Sequence, residues 1–221
     1  MKKMYKAMLL VLCAVLLVAG SVMGTLAYLK AQTGTVTNTM TVGKVEITLD
    51  EAKVNVYGEK LAKDDSVWET GKELADRVSD KNDYKLIPGH TYTKDPIVTV
   101  KANSEACYLF VKVVNGISAI EAGTTIAVQM AAKGWKPLDG VANVFYKSVA
   151  ATDDTAVNYP VFDNFTIADN ANENTTAWKA ASIEITAYAI QADGFTDTDN
   201  SGTAADEAWD ASGFGTTNSN P

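Results

Sequence analysis

The chain has 221 residues with 19 basic and 27 acidic side chains, which gives a formal net charge of −8. Nucleic acid and anionic membrane surfaces are therefore poor partners, because they bind clusters of lysine and arginine. Cys13 lies in an N-terminal apolar run, so the exported chain would keep only Cys107 and could form no intramolecular disulfide. The fold must then be held by its apolar core.

Residues 1–27 have the layout of a secretory signal peptide. Three lysines precede an apolar run from residue 7 to residue 19, and a stretch rich in small residues follows. This predicts export, with cleavage between Ala27 and Tyr28, and an extracellular or cell-surface location. The alternative is a retained anchor, but a bilayer needs about 20 apolar residues and glycines break the far end of this run. Cleavage would leave a formal charge of −11, because it removes three lysines and no acidic residue.

Residues 28–50 are predicted to form an N-terminal strand region. Threonine alternates with apolar residues there, notably Val36, Met40 and Val42, and Gly43 would allow a bend before the pattern resumes. An alternation with period two is typical of a strand with one buried face. The strand would begin close behind the cleavage site.

The segment from about 51 to 83 differs from its surroundings. It is charged, and its residues 69–78 have a weak helical pattern. We expect an insertion here that contains at most a short helix.

Short strands are predicted from there to residue 196, separated by turns such as Pro88–Gly89. The run from Cys107 to Val114 is almost wholly apolar and predicts a central strand that is covered on both faces. The remaining strands are expected at 97–101, 126–130, 144–147, 159–165 and 183–190. This spacing favours an all-β fold, an antiparallel jelly-roll or immunoglobulin-like sandwich, preceded by the signal helix. Residues 197–221 are expected to form an acidic loop and a flexible tail.

The sequence offers few candidate residues for enzyme catalysis. His90 is the sole histidine, no His-Glu-x-x-His pattern is present, and both serine and cysteine triads would have to use the same His90. We expect His90 to be a solvent-facing turn residue and Cys107 to be a buried small apolar side chain. A pair of carboxylates acting on a glycoside stays open, because the acidic residues are numerous and spacing alone selects no pair.

One acidic segment resembles the first half of a calcium-binding loop. Asp197, Asp199 and Ser201 offer oxygen ligands at alternate positions, and Gly202 is at the sixth position. Alanine occupies the twelfth position, where a bidentate glutamate is usual, so the nearby Glu207 would have to serve. Calcium is a possible ligand here, and a plain acidic turn is the alternative.

Tryptophans could mark a carbohydrate-binding surface or a partner surface. In a β-sandwich they more often belong to the core or cover a sheet edge, and we favour that interpretation. The four are Trp68, Trp135, Trp178 and Trp209.

Three stretches of the sequence together resemble one family. They are the signal exit with the alternating strand at 24–43, the segments 88–100 and 107–113, and the run 185–195. The chain is similar there to the TasA/camelysin group, exported proteins of Gram-positive bacteria whose signals are cut by a SipW-type signal peptidase. The resemblance implies a jelly-roll sandwich on the cell surface or in the biofilm matrix. It also implies fibres built by donation of an N-terminal strand, as in the TasA branch, or the metallopeptidase label of camelysin.

The strand-donation hypothesis also has a physical argument. Cleavage would free an N-terminus directly before the alternating strand, and an incomplete sheet offers unpaired N–H and C=O groups to such a strand. Residues 29–42 would be the donor, with Val36, Met40 and Val42 as its apolar positions, and assembly would wait for the peptidase. The alternative for this segment is pairing within its own subunit. A secreted hydrolase and a monomeric adhesion or ligand-binding module are the alternatives.

Overall fold

The computed structural model describes residues 44–195 and 203–214, which belong to one compact unit, Gly43–Pro221. The expected signal peptide, its cleavage site at Ala27 and Tyr28, and the assembly positions Val36, Met40 and Val42 lie outside the described residues. The same holds for Gly43 and for three of the four calcium candidates, Asp197, Asp199 and Ser201.

All strand pairs in the described ranges are antiparallel, and they form three sheets. The sheet orders are β1-β3-β8, β10-β4-β7-β6 and β2-β9-β5. The predicted all-β, sandwich-like architecture is confirmed. The strands are β1 Ile47–Asp50, β2 Thr91–Thr93, β3 Ile97–Val100, β4 Cys107–Asn115, β5 Glu121–Ala122, β6 Lys136–Pro137, β7 Val144–Val149, β8 Val157–Pro160, β9 Asn164–Ile167 and β10 Ile183–Gln191.

Strand β4 is the central strand that its apolar sequence predicts. It pairs with β10 on one side and β7 on the other, and its odd-numbered residues from Cys107 to Val113 belong to the main core. Phe110 points the other way into a second, smaller apolar cluster with Trp209 and Leu138. Both faces of β4 are therefore covered.

The described residues contain three helices, α1 Ile126–Ala132, α2 Thr176–Lys179 and α3 Ala204–Ser212. Helix α1 replaces the strand expected at 126–130, so that prediction was wrong. Thr125 caps its first turn, and Glu121 accepts a hydrogen bond from the Ile126 N–H at 2.7 Å. Ile126 and Met130, four residues apart, lie on one buried face of α1. Residues four apart also share a face in a strand, so their spacing does not distinguish the two structures.

The strand expected at 159–165 is split in two. Strand β8 ends at Pro160 and belongs to the sheet of β1 and β3, whereas β9 begins at Asn164 and pairs with β2 and β5. Val161 and Phe162 between them are fully buried. The buried Val161–Phe162 pair therefore carries the chain through the core from one sheet to the next.

The insertion at 51–83 contains no helix, so the weak helical pattern of residues 69–78 does not form the short helix that the sequence allowed. The segment is held instead by isolated antiparallel bridges such as Glu51 with Val78 and Ala62 with Leu74. Gly71 lies in the predicted helical stretch at a φ of 97°, which a helix cannot contain. Leu74 is 46% exposed, so the stretch also lacks a buried apolar face to support a helix.

Candidate functional site

Strand β10 has one free edge. It is the outermost strand of its sheet, and in the described part of the chain β4 is the only strand hydrogen-bonded to it, while β1 of the neighbouring sheet lies close by. Two backbone hydrogen bonds show which residues of β10 are hydrogen-bonded to β4. Gly116 N donates to Ser182 O at 2.8 Å, and Ala192 N donates to Ala106 O at 2.7 Å. Because bonded and non-bonded positions alternate in antiparallel pairs, the even-numbered residues of β10 direct their backbone groups to β4.

The odd-numbered residues of β10 therefore direct their backbone N–H and C=O groups away from the sheet. Their side chains are half-buried and pack on the main core, whereas Glu184 and Thr186 between them are exposed. An added strand would find both unpaired backbone groups and an adjoining apolar surface along this edge. These free-edge residues are Ile183, Ile185, Ala187 and Ala189.

A groove of about 730 Å³ lies beside the first residues of this edge. Leu49 of β1, the end of the insertion at 78–84 and β10 residues 183–185 form its walls, while Phe165 and Trp178 add aromatic surface. Strand β1 is itself the edge of the β1-β3-β8 sheet. Two strand edges thus border one partly apolar groove.

A buried polar cluster also borders the groove. Lys94 Nζ lies 2.6 Å from Glu51 Oε2, and Asn82 Nδ2 donates to Glu51 Oε1 at 2.7 Å. Lys94 and Glu51 are only 9% and 6% exposed. Burial, together with the carboxylates of Glu51 and Asp95, raises the pKa of Tyr84 far above its usual range, so the Tyr84 phenol stays neutral and donates to Thr93 O. We call Glu51, Asn82 and Lys94 the Glu51 cluster.

A second set of charges fastens the insertion to the sheet of β1 and β3. Asp95 Oδ1 accepts a hydrogen bond from Ala52 N at 2.7 Å, and its Oδ2 binds Lys60 Nζ at 2.9 Å. Arg77 bridges the Asp50 carboxylate and the Asp95 carbonyl oxygen. The insertion therefore has a fixed position at the groove wall.

His90 follows the Pro88–Gly89 turn as predicted, and Gly89 has a φ of 77°, which favours glycine. The His90 side chain does not face solvent as expected. The ring is half-buried, its Nε2 lies 2.9 Å from Tyr57 O, and it packs edge-on against Tyr92 at 4.5 Å. This geometry suits a proton on Nε2, with His90 joining the turn to the insertion.

Cys107 is buried as expected, and burial raises the pKa of its thiol to about 11. The tryptophans divide into two groups. Trp135 and Trp209 are core residues, and Trp178 packs partly buried against the main core, which fits the predicted roles. Trp68 is 38% exposed on the insertion and is the exception.

Of the calcium candidates, only Glu207 is described, and it lies in the first turn of α3. Thr203 and Asp206 form a capping box at this helix end, which uses Asp206 Oδ2, while Asp206 Oδ1 is buried without a hydrogen-bond partner. Within residues 44–195 and 203–214, no group of three or more His, Cys, Asp or Glu side chains is placed to hold a metal ion. The calcium hypothesis stays a prediction.

The sequence pattern gave no sign of the Glu51 cluster. Asn82 and Lys94 lie 31 and 43 residues from Glu51 along the chain. Glu51 and Asn82 belong to the segment interpreted as an insertion, and Lys94 lies between the predicted turn and the strand expected at 97–101. The single local hint is Lys94 between a short strand and the Asp95–Pro96 pair, which does not distinguish it from any surface lysine.

No family model, curated protein or solved structure matches this chain. In the ranges that the structure describes, no helix combines the length and apolar character needed to cross a bilayer.

Proposed function

We propose that this chain is an exported structural protein of the cell surface or biofilm matrix, and that it assembles into fibres by strand donation. The donor is the N-terminal segment 29–42 after signal cleavage, and the acceptor is the free edge of β10 in the next copy. The observation that carries the proposal is the free edge itself, with its outward backbone groups from Ile183 to Ala189.

Donor and acceptor have matching chemistry. Strand β10 offers a nine-residue edge whose inward side chains are apolar, next to a groove lined by Leu49, Phe165 and Trp178. The donor alternates threonine with apolar side chains at Val36, Met40 and Val42, so one face could enter the groove while threonines face solvent. Addition of one copy leaves the next β10 edge free, and such head-to-tail growth gives a filament. The resemblance to the TasA branch agrees with this arrangement.

Truncation tests the donor. Chains that begin at residue 28 and at residue 43 should differ, because only the first carries the segment 29–42. We expect filaments in electron micrographs and large species in light scattering from the longer chain alone. If both chains stay monomeric, or if the shorter chain forms the same filaments, strand donation is wrong. Casein hydrolysis that a chelator abolishes would instead favour the metallopeptidase.

A proline on the free edge tests the acceptor. Ala187→Pro removes an N–H that points away from β4, so the β10–β4 ladder keeps its hydrogen bonds while an added strand loses one. Ala187→Ser is the matched control, because it keeps the N–H. We expect Ala187→Pro to fold and to lose fibre growth, and Ala187→Ser to retain it. Equal growth of both variants would move the acceptor away from β10.

A further inference from the structure

The Glu51 cluster places an amine and an amide on the two oxygens of one buried carboxylate. Lys94 Nζ is 2.6 Å from Oε2, and Asn82 Nδ2 is 2.7 Å from Oε1. Lys94 and Glu51 are almost completely removed from solvent. The Asn82 amide satisfies the second oxygen of the buried carboxylate and so brings an amine, an amide and a carboxylate into one cluster.

The Asn82 amide is held in a fixed orientation. Its Nδ2 also donates to Ala52 O at 3.0 Å, and its Oδ1 accepts a hydrogen bond from Val54 N at 3.2 Å. The Val54 N–H therefore polarises the amide carbonyl and would stabilise negative charge on Oδ1, as an oxyanion hole does. Lys94 is fixed as well, between the Glu51 carboxylate and the face of the Tyr84 ring, whose centre is 5.9 Å from Nζ.

We propose that Lys94 and Asn82 become joined by an intramolecular isopeptide bond, with Glu51 as the proton-transfer group. The bond rests on the Glu51 cluster and does not depend on the β10 edge or on fibre assembly.

The reaction is an aminolysis of the Asn82 amide. The 2.6 Å contact lets Lys94 Nζ pass a proton to the Glu51 carboxylate, which leaves a nucleophilic amine. The Nζ lone pair attacks Asn82 Cγ, and the carbonyl electron pair moves to Oδ1 beside the Val54 N–H. Glu51 then passes the proton it received to Nδ2, and the carboxylate so formed takes a second proton from Nζ.

The Cγ–Nδ2 bond breaks as the carbonyl reforms. Ammonia leaves and carries away, as ammonium, the proton that Glu51 still holds. Glu51 ends as the carboxylate it was at the start, and the reaction consumes no oxidant, reductant or other reactant. The product is a covalent link between the end of the insertion and the residue that follows β2.

Trypsin digestion of the denatured full chain tests the bond. Lys94 would resist cleavage, so peptide 82–85 should appear attached through an amide to peptide 86–101. The intact mass should also be lower by one ammonia than the mass expected from the sequenced N-terminus. Free peptides 82–85 and 86–94 together with an unchanged intact mass would overturn the proposal.

Two variants separate the roles of Glu51 and Asn82. Glu51→Gln keeps the shape but removes the proton-transfer group, and Asn82→Ser removes the carbonyl carbon that Nζ attacks. Both should lose the linked peptide completely. Lys60→Arg is the control, because Lys60 pairs with Asp95, which carries no side-chain amide.

The control should keep the linked peptide at the wild-type level. A linked peptide in Asn82→Ser would overturn the choice of Asn82, and one in Glu51→Gln would overturn the role of Glu51. If a variant fails to fold, the wild-type digest still decides whether the bond exists.

Discussion

Glu51 and Val78 exchange two backbone hydrogen bonds, each 2.8 Å long, across 27 residues of sequence. Glu51 directly follows β1 and is in phase with Ile47 and Leu49, whose backbone groups point away from β3. The returning end of the insertion thus occupies the last position on the outer edge of β1. The same residue, Glu51, holds Lys94 and Asn82 through its side chain.

Replacing Val78 should show what this backbone pair contributes. Val78→Pro removes the N–H that donates to Glu51 O, whereas Val78→Ala keeps both backbone bonds and loses only side-chain contacts. We expect the proline variant to be less stable than the alanine variant by about 1–3 kcal/mol, because a buried carbonyl loses its partner. Urea unfolding followed by circular dichroism gives both values. Equal stability of the two variants would contradict a structural role for the pair.

The aromatic cluster under α3 supplies a second prediction. Trp209 is 4% exposed and packs edge-on against Phe110 at 5.2 Å and Tyr188 at 5.6 Å. Trp209→Ala should cost about 3–5 kcal/mol of unfolding free energy, as truncation of large core aromatics does. Trp68→Ala is the matched comparison and should cost less than about 1 kcal/mol, because Trp68 lies on the surface of the insertion. Similar losses from both variants would show that α3 does not cover the second face of β4.

The burial of Cys107 predicts that the folded protein loses stability in alkaline solution. Burial raises the pKa of its thiol from 9.0 to about 11, so between these values the unfolded chain has lost a proton that the folded chain keeps. The unfolded state then binds fewer protons, and stability falls as pH rises through this window, by about 1.4 kcal/mol per pH unit. Below pH 9 the thiol contributes no pH dependence.

Cys107→Ala separates this contribution from those of the buried tyrosines, whose phenols also titrate in alkaline solution. Urea midpoints measured from pH 8 to pH 11 should fall less steeply in the variant than in the wild type. The wild-type thiol should also react slowly with a thiol reagent at pH 8 until the chain unfolds. Parallel pH curves, or fast labelling of the folded protein, would contradict the burial of Cys107.

The calcium hypothesis predicts a rise in the thermal unfolding midpoint at millimolar calcium. Asp197→Asn and Asp199→Asn should each reduce that rise, because both remove a charged oxygen ligand. Glu105→Gln is a control outside the acidic segment and should respond as the wild type does. Magnesium at the same concentration tests selectivity. A midpoint that calcium leaves unchanged would remove the hypothesis.

Local pattern in the sequence predicts much of the fold. The apolar run of β4 indicated a central strand, and Pro88–Gly89 indicated a turn, because period and turn chemistry depend on neighbours in the chain. The helix at Ile126–Ala132 was not predicted, because a short apolar run fits a strand as well as a helix. The contact from Glu121 to the Ile126 N–H, which favours the helix, is not visible in a local apolar pattern. The insertion was recognised as different, but its bridges join residues too far apart for a local pattern to reveal.

The sequence alone was enough to predict the central apolar strand, the Pro88–Gly89 turn and the burial of Cys107. It also gave the expectation of an exported chain with a donor strand behind its signal. The tertiary structure alone decided which strand edge stays open and which polar groups meet. The outer edge of β10 is free because no described strand pairs with it on the side opposite β4. A local sequence pattern does not give the order of strands in a sheet. Glu51, Asn82 and Lys94 come together because three separate segments converge at one wall of the groove. There an amine, an amide and a carboxylate lie within hydrogen-bond distance of one another, shielded from solvent.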